Sequence, residues 1–320
     1  MYKLGWLLIV LTVVGVRVAS AESFPTQPIR LIVTTGPGTG SDTIARLLEQ
    51  KMGKQLGVAV VVENRPGAGG VLGMDAVARA KPDGHTLVVG ANGTMIAIPA
   101  MKPKEVRYRL SDFSPVMGLV SAPFVVVTAN TEAGPKTLEE LIARTKKTPP
   151  SYGSSGVGTI THLASEMLLR QTNSKAVHVP YKGSNQSLAD VIGGSLLFAT
   201  DTVPAVLPLI KGGKLRALAV TSGSRVKSLP DVPTAVESGY PDMVATAWWG
   251  LLAPVNTPAS AVSKLEAATI SALQDREVKS RLEAMDLEVM AKRPAEFDAF
   301  IKTETQAWTK LIHDANLQAE

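Results

Sequence analysis

Short apolar runs alternate with stretches of helical periodicity along most of this chain, and glycine-rich turns join them. That alternation restricts the fold more than any other feature. Pro28–Val33 reads as a buried strand, and after a glycine loop Ile44, Leu47, Leu48, Met52 and Leu56 recur at helical spacing, with Ser41 as N-cap. Val58–Val62 gives a second strand, Val71–Ala80 a helix, Lys81-Pro82-Asp83-Gly84 a turn and Thr86–Gly90 a third strand. The βαβαβ order predicts a parallel sheet with right-handed crossovers.

A second series starts near Phe124-Val125-Val126-Val127. The Thr137-Leu138-Glu139-Glu140 capping box opens a helix running through Lys147. Strands at 151–154, 176–179, 196–201 and 215–221 alternate with helices from about Ile160 and at Ser184–Ile192, and Thr202-Val203-Pro204 starts another. One more strand-like run, Trp249–Ala253, precedes three C-terminal helices that lack a strand set of their own, the last with Pro294 at its first position. These helices pack most economically on the first strand group. The expectation is an α/β protein of two lobes: a discontinuous lobe of residues 22–122 and 248–320, a lobe of residues 123–247, and a ligand cleft between them at the C-terminal ends of strands. No internal repeat competes with this reading.

The length of 320 residues agrees with two lobes, because one hydrophobic core rarely serves so long a chain. Residues 1–21 read as a cleaved export signal: Lys3, the apolar run Leu4–Val16, then Ala19-Ser20-Ala21. The run is shorter than the roughly 20 residues that cross a bilayer. Removing Lys3 and Arg17 from 33 basic residues leaves 31 against 28 acidic ones, so the formal charge falls from +5 to +3. No basic run with interleaved aromatics occurs, which excludes a nucleic-acid footprint. The absence of Cys excludes disulfides, thiolate metal sites and a Cys nucleophile. With four His and no H-E-x-x-H, neither a metal site nor a cofactor is expected; His178 and His313 are read as structural and surface residues.

Two strand-to-helix loops carry the chemistry. The first is Thr34-Thr35-Gly36-Pro37-Gly38-Thr39-Gly40-Ser41-Asp42, and the second is residues 153–162, with Ser154, Ser155, Gly156, Gly158, Thr159 and His162. Glycine lets a ligand approach the backbone, hydroxyls add neutral donors, and free N–H groups at a helix start favour an anion. Tight turns with ordinary N-caps use the same residues, but two such loops, one per lobe, point to a small organic anion. Asn92, beyond the third strand, joins the candidate set. Tyr181-Lys182-Gly183 follows a strand end and lines the cleft, with solvent exposure of Lys182 as the alternative. Asp201 accepts from a ligand donor or caps the next helix. Trp248, beside Trp249 at the second crossing, stacks on a ligand or packs the hinge. Gly67-Ala68-Gly69-Gly70 is read as a close-packing loop. Gly36-x-Gly38-x-Gly40 does not complete a dinucleotide fingerprint, and Gly53-Lys54 and Gly213-Lys214 lack the rest of a P-loop. A competing function is a secreted hydrolase using Ser154 or Ser155 with His162, although Gly153-Ser154-Ser155-Gly156-Val157 fails the nucleophile elbow.

In the order in which they occur, several segments resemble the receptors of the tripartite tricarboxylate transporter system, the Bug family. Among them are Val62-Glu63-Asn64-Arg65-Pro66-Gly67-Ala68-Gly69-Gly70, Pro82-Asp83-Gly84, Ser154-Ser155-Gly156-Val157-Gly158-Thr159 with His162, His178-Val179-Pro180-Tyr181-Lys182-Gly183 and Leu229-Pro230-Asp231-Val232-Pro233-Thr234. The resemblance implies a fold like the type II periplasmic binding proteins, a monomer that closes on a small carboxylate and no catalysis. It also implies delivery to integral membrane transporter subunits, with signalling through a membrane partner as the other outcome. In the family, the loops matching residues 34–42 and 153–162 hold the carboxylate. Thr34-Thr35 stands where Pro and an aromatic are common, Thr39 where Gly is frequent, and Thr202 where Asn is common beside Asp201. The family's usual ligand therefore does not transfer.

Overall fold

The computed structural model describes residues 24–314 and 317; the expected export signal lies outside them. The chain order is β1 (Ile29–Val33), α1 (Gly40–Leu56), β2 (Val60–Asn64), α2 (Val71–Ala78) and β3 (Thr86–Ala91), then a π turn (Gly93–Ala97) running into α3 (Ile98–Met101). There follow β4 (Phe113–Ala129), α4 (Leu138–Lys147), β5 (Ser151–Ser154), α5 (Ile160–Gln171), β6 (Val177–Pro180), α6 (Ser184–Ile192), β7 (Phe198–Thr202), α7 (Val203–Lys211) and β8 (Leu215–Val220). The chain returns through β9 (Thr246–Pro254) and ends in α8 (Ala259–Gln274), α9 (Arg276–Ala284), β10 (Glu288–Lys292) and α10 (Pro294–Asp314).

Strands β2, β1 and β3 are parallel, as the βαβαβ order predicts. The sheet then changes character, because β9 runs antiparallel to both β3 and β4. The long strand β4 belongs to two sheets. Its residues 113–123 pair with β9, and residues 124–127 pair with β7. In the second sheet β5 is parallel to β6 and β7, and β8 flanks β4. β10 is a strand that the sequence reading missed: it pairs antiparallel with β4, so the C-terminal helices do bring a strand with them. Its residues alternate only weakly between exposed and half-buried, which hid it between two helical patterns.

Local chemistry fixes the element ends. Gly57 takes a left-handed φ of 74° and donates its N–H to Gly53, closing α1. Thr137 accepts the Glu140 N–H at the start of α4, while the Glu140 carboxylate accepts the Lys136 N–H, one residue earlier than the usual partner of a capping box. The close-packing reading of residues 67–70 agrees with the geometry. A methyl group on Gly70 would lie 2.5 Å from Thr94 and 3.1 Å from Thr34, and one on Gly69 2.7 Å from Ile98.

The C-terminal return is held by a ring on bare backbone. Gly118 on β4 and Gly250 on β9 are cross-strand partners, and the fully buried Phe297 of α10 lies against both. A methyl group at Gly250 would sit 2.0 Å from Phe297 Cζ. We therefore expect Gly250→Ala to lower unfolding free energy by at least about 1–3 kcal/mol, the usual cost of overpacking, read as a shift in the urea midpoint. An unchanged midpoint would remove Phe297 from this role.

Candidate ligand-binding site

Both glycine loops leave the C-terminal ends of parallel-sheet strands, β1 and β5, and enter helices. Aligned, they share one pattern: Gly36-Pro37-Gly38-Thr39-Gly40-Ser41-Asp42 and Gly156-Val157-Gly158-Thr159-Ile160-Thr161-His162. The backbones agree as well. Gly38 and Gly158 have φ of 77° and 80°, a region that favours glycine. Thr39 and Thr159 are the extended N-caps of α1 and α5. Thr39 Oγ1 donates to the Gly36 carbonyl at 2.9 Å, and Thr159 Oγ1 to the Gly156 carbonyl at 2.7 Å. The Gly38 N–H donates to Asp42 Oδ2 at 2.8 Å, and the Gly158 N–H points to His162 Nδ1 at 3.4 Å. The molecule thus contains an internal repeat that the sequence reading did not find. It spans too few residues to stand out, and Asp against His conceals the last match.

Each loop carries a cluster of hydroxyls. In the first, Thr35 Oγ1 lies 2.6 Å from Thr39 Oγ1. In the second, Thr161 Oγ1 accepts the Ser155 N–H at 3.0 Å and lies 2.8 Å from Ser155 Oγ and 3.1 Å from Thr159 Oγ1. Thr161 is therefore a hub that residue-by-residue reasoning missed. The second loop rests against the lobe of β3: a methyl group on Gly158 would lie 3.4 Å from Met101 Sδ, and one on Gly93 3.9 Å from the Ile160 nitrogen.

Several expected ligand residues serve the loops instead. Asp42 is buried; its carboxylate receives the Gly38 N–H, Asn64 Nδ2 at 2.8 Å and Arg46 Nε at 3.0 Å. Burial opposes its ionisation, but these donors outweigh burial and hold the carboxyl below its ordinary value. Asn64 also donates to the Thr35 carbonyl at 3.1 Å, so strand β2 braces the loop. Thr34 is buried beneath Gly70 and Gly73 as a packing residue. The Tyr181 hydroxyl donates to Asp190 of α6, although Tyr181 had been expected at the ligand.

Of the two readings of Trp248, its surroundings fit the packed one. It is fully buried, edge-on to Phe297 and Phe300, and its Nε1 donates to Glu304 at 2.8 Å. Strand alternation turns Trp249 the other way, and it is Trp249 whose Nε1 donates to Ser41 Oγ at 2.9 Å beneath the first loop. Asn92 is buried, with Nδ2 donating to the Thr246 carbonyl at 3.0 Å. Asp201 is buried at the end of β7, where its Oδ1 accepts the Thr202 N–H at 2.7 Å; burial pushes its carboxyl up to about 6.

The hydrolase pairing fails on geometry. Ser154 Oγ lies 2.7 Å from Nε2 of His178, not His162, and Ser155 is committed to Thr161. Ser154 is buried at the strand end, and its hydroxyl also accepts the Gly156 N–H at 3.1 Å. His162 and His178 stack face to face at 3.9 Å beside Tyr152, which packs on Phe198.

A scan of protein families matches "Tripartite tricarboxylate transporter family receptor" over residues 44–317. BugT of Bordetella pertussis is 34% identical, spanning 95% of this chain and 96% of its own. The chain belongs to the tripartite tricarboxylate transporter receptor family. Its members are solute-binding receptors rather than enzymes. MatC of Rhodopseudomonas palustris, solved with bound malate, matches with a TM-score of 0.80 at 32% identity, covering 90% of this chain and all of that one (100%). An R. palustris protein solved with adipate matches with a TM-score of 0.83 at 27% identity, covering 92% and 98%. The fold is the periplasmic binding protein fold, as the resemblance implied.

In this receptor the histidine stack makes stability depend on pH. Burial, helped for His162 by His178, pushes the two imidazoles down to about 3 and about 4 from 6.5. The unfolded chain binds protons at the ordinary value and the folded chain does not, so stability rises with pH between about 4 and 6.5. Asp201, shifted upward, works oppositely below about 6. The histidine contribution is therefore read as a difference: the urea midpoint of wild type should fall more steeply with acidification than that of His162→Gln. Parallel pH profiles would rule out a neutral buried His162.

Proposed function

We propose that the protein is exported by its N-terminal signal and works in the periplasm as a monomeric, non-catalytic receptor. It captures a small organic carboxylate between two lobes, residues 22–122 with 248–320 and residues 123–247, and delivers it to membrane transporter subunits. The observation that carries this reading is the matched pair of loops, one at the edge of each sheet. Each offers a helix N-terminus, glycine backbone and clustered hydroxyls, which are neutral donors suited to a carboxylate. Malate and adipate in the solved relatives support the same ligand class. The loop pattern includes Thr35, Gly36, Pro37, Gly38, Thr39, Gly40 and Ser41 on one side, and Ser155, Gly156, Gly158 and Thr159 on the other.

Binding to the native state alone stabilises it by RT ln(1 + [L]/Kd), so ligands show as rises in Tm. A panel of mono- and dicarboxylates should contain acids that raise Tm. Gly38→Ala and Gly158→Ala, which force a side chain into the left-handed region, should each weaken binding of those acids by at least about fivefold as the loop leaves its binding geometry, since that conformation costs roughly 1–2 kcal/mol. A broad panel without any shift would overturn the carboxylate reading, and full affinity in both variants would move the ligand away from the loops.

A further inference from the structure

Two buried acceptors lie where the sheets meet, and neither loop uses them. Asp201 pairs in register with Val125, two residues beyond Pro123, the last β4 residue paired with β9. The Thr202 N–H donates to its Oδ1 at 2.7 Å and the Thr202 hydroxyl lies 3.5 Å from the same oxygen, and no cation among the described residues compensates the charge. Asn92 follows β3. Its Nδ2 bonds the Thr246 carbonyl, the residue in register with Pro123 of β4, which fixes the amide's orientation. Its Oδ1 is left buried with no donor among the described residues.

Helix capping does not account for Asp201. Thr202 is the N-cap of α7, and no side chain caps that helix. β7 is parallel to β5, so Asp201 lies on the same strand edge as the second loop; Asn92 lies on the edge of β1 and β3 that carries the first. The cleft edges thus combine donor-rich loops for a carboxylate with acceptors that demand a donor.

We propose that Asp201, assisted by Asn92, is the specificity-determining acceptor of the cleft, and that the ligand is a small carboxylate bearing a hydroxyl or ammonium group. The proposal rests on the carboxylate reading above and adds the second functional group to it. An acid lacking that group leaves Asn92 Oδ1 unpaired and gives the buried Asp201 charge no further donor, which is how sites built for a hydroxyl reject the analogue without one. A bare second carboxylate beside Asp201 would meet like charge.

Calorimetric titration of the mature protein at neutral pH with matched acids tests this. The pairs are L-malate against succinate, L-aspartate against succinate, 2-hydroxyglutarate against glutarate, and lactate against propionate. Wild type should bind a donor-bearing member at least about tenfold more tightly than its partner, and Asp201→Asn should reduce that ratio to about threefold or less. Asp201→Ser keeps an oxygen near the Thr202 N–H and should behave like Asp201→Asn, which separates loss of the carboxylate from loss of that local hydrogen bond. Equal affinities within every pair for wild type, or an unchanged ratio in folded variants, would overturn the assignment while leaving carboxylate binding intact. Binding by none of the acids, with no Tm shift, would overturn the carboxylate reading itself and this proposal with it.

Discussion

One strand shared by two sheets governs the rest of this molecule. β4 gives residues 113–123 to one sheet and 124–129 to the other, so both strand sets are anchored to a continuous buried backbone. Thr221 adds to the ladder that ties the second chain crossing to the first. The fully buried Thr221 Oγ1 accepts the Phe124 N–H at 2.9 Å and lies 2.6 Å from the Ala245 carbonyl. The Thr221 backbone adds bonds to the same two residues, at 2.9 and 3.0 Å. Trp248 and Phe297 brace the adjacent side, where α10 lies on Gly118 and Gly250.

Given that frame, the loops solve an electrostatic problem with few charges. A Lys or Arg in the cleft would bind anions strongly, but it would itself have to be desolvated on closure. Amides and hydroxyls avoid that cost and hold a fixed geometry at the positive end of a helix. Asp42 and His162 occupy equivalent places behind the glycines, and both accept a glycine N–H. Asp42 stays ionised because Arg46 and Asn64 support it, whereas His162 stays neutral because it is buried against His178. Either chemistry braces the loop without adding a free charge to the cleft.

The sequence reveals periodic features well and pairings poorly. Alternating strands and helices place both loops, since each occurs at a strand-to-helix step that composition marks with glycine and hydroxyls. Trp248 against Trp249 is a different case. Both belong to one strand, and which faces the core depends on a register set by β3 and β4, far away in sequence. Likewise Ser154 is drawn to His178 by a contact formed only after β5 and β6 align, and Tyr181 to Asp190 once α6 folds back beside it. β10 was obscured for a related reason: it is an edge strand with half-exposed residues, so neither a continuous apolar run nor a clean alternation marks it.

Neutral donors on the loops and acceptors where the sheets meet also explain why net charge says so little here. A formal charge of +5, or +3 without the first basic residues, spread over a surface threaded with ion pairs produces only a weak field at a cleft. Recognition at contact distance is set by the direction of each hydrogen bond. Gly38 and Gly158 expose backbone in a conformation that other residues resist, while Asn92 and Asp201 present oxygen. Selectivity among small acids in such a site depends on matching both polarities at once, which a uniformly basic pocket could not do.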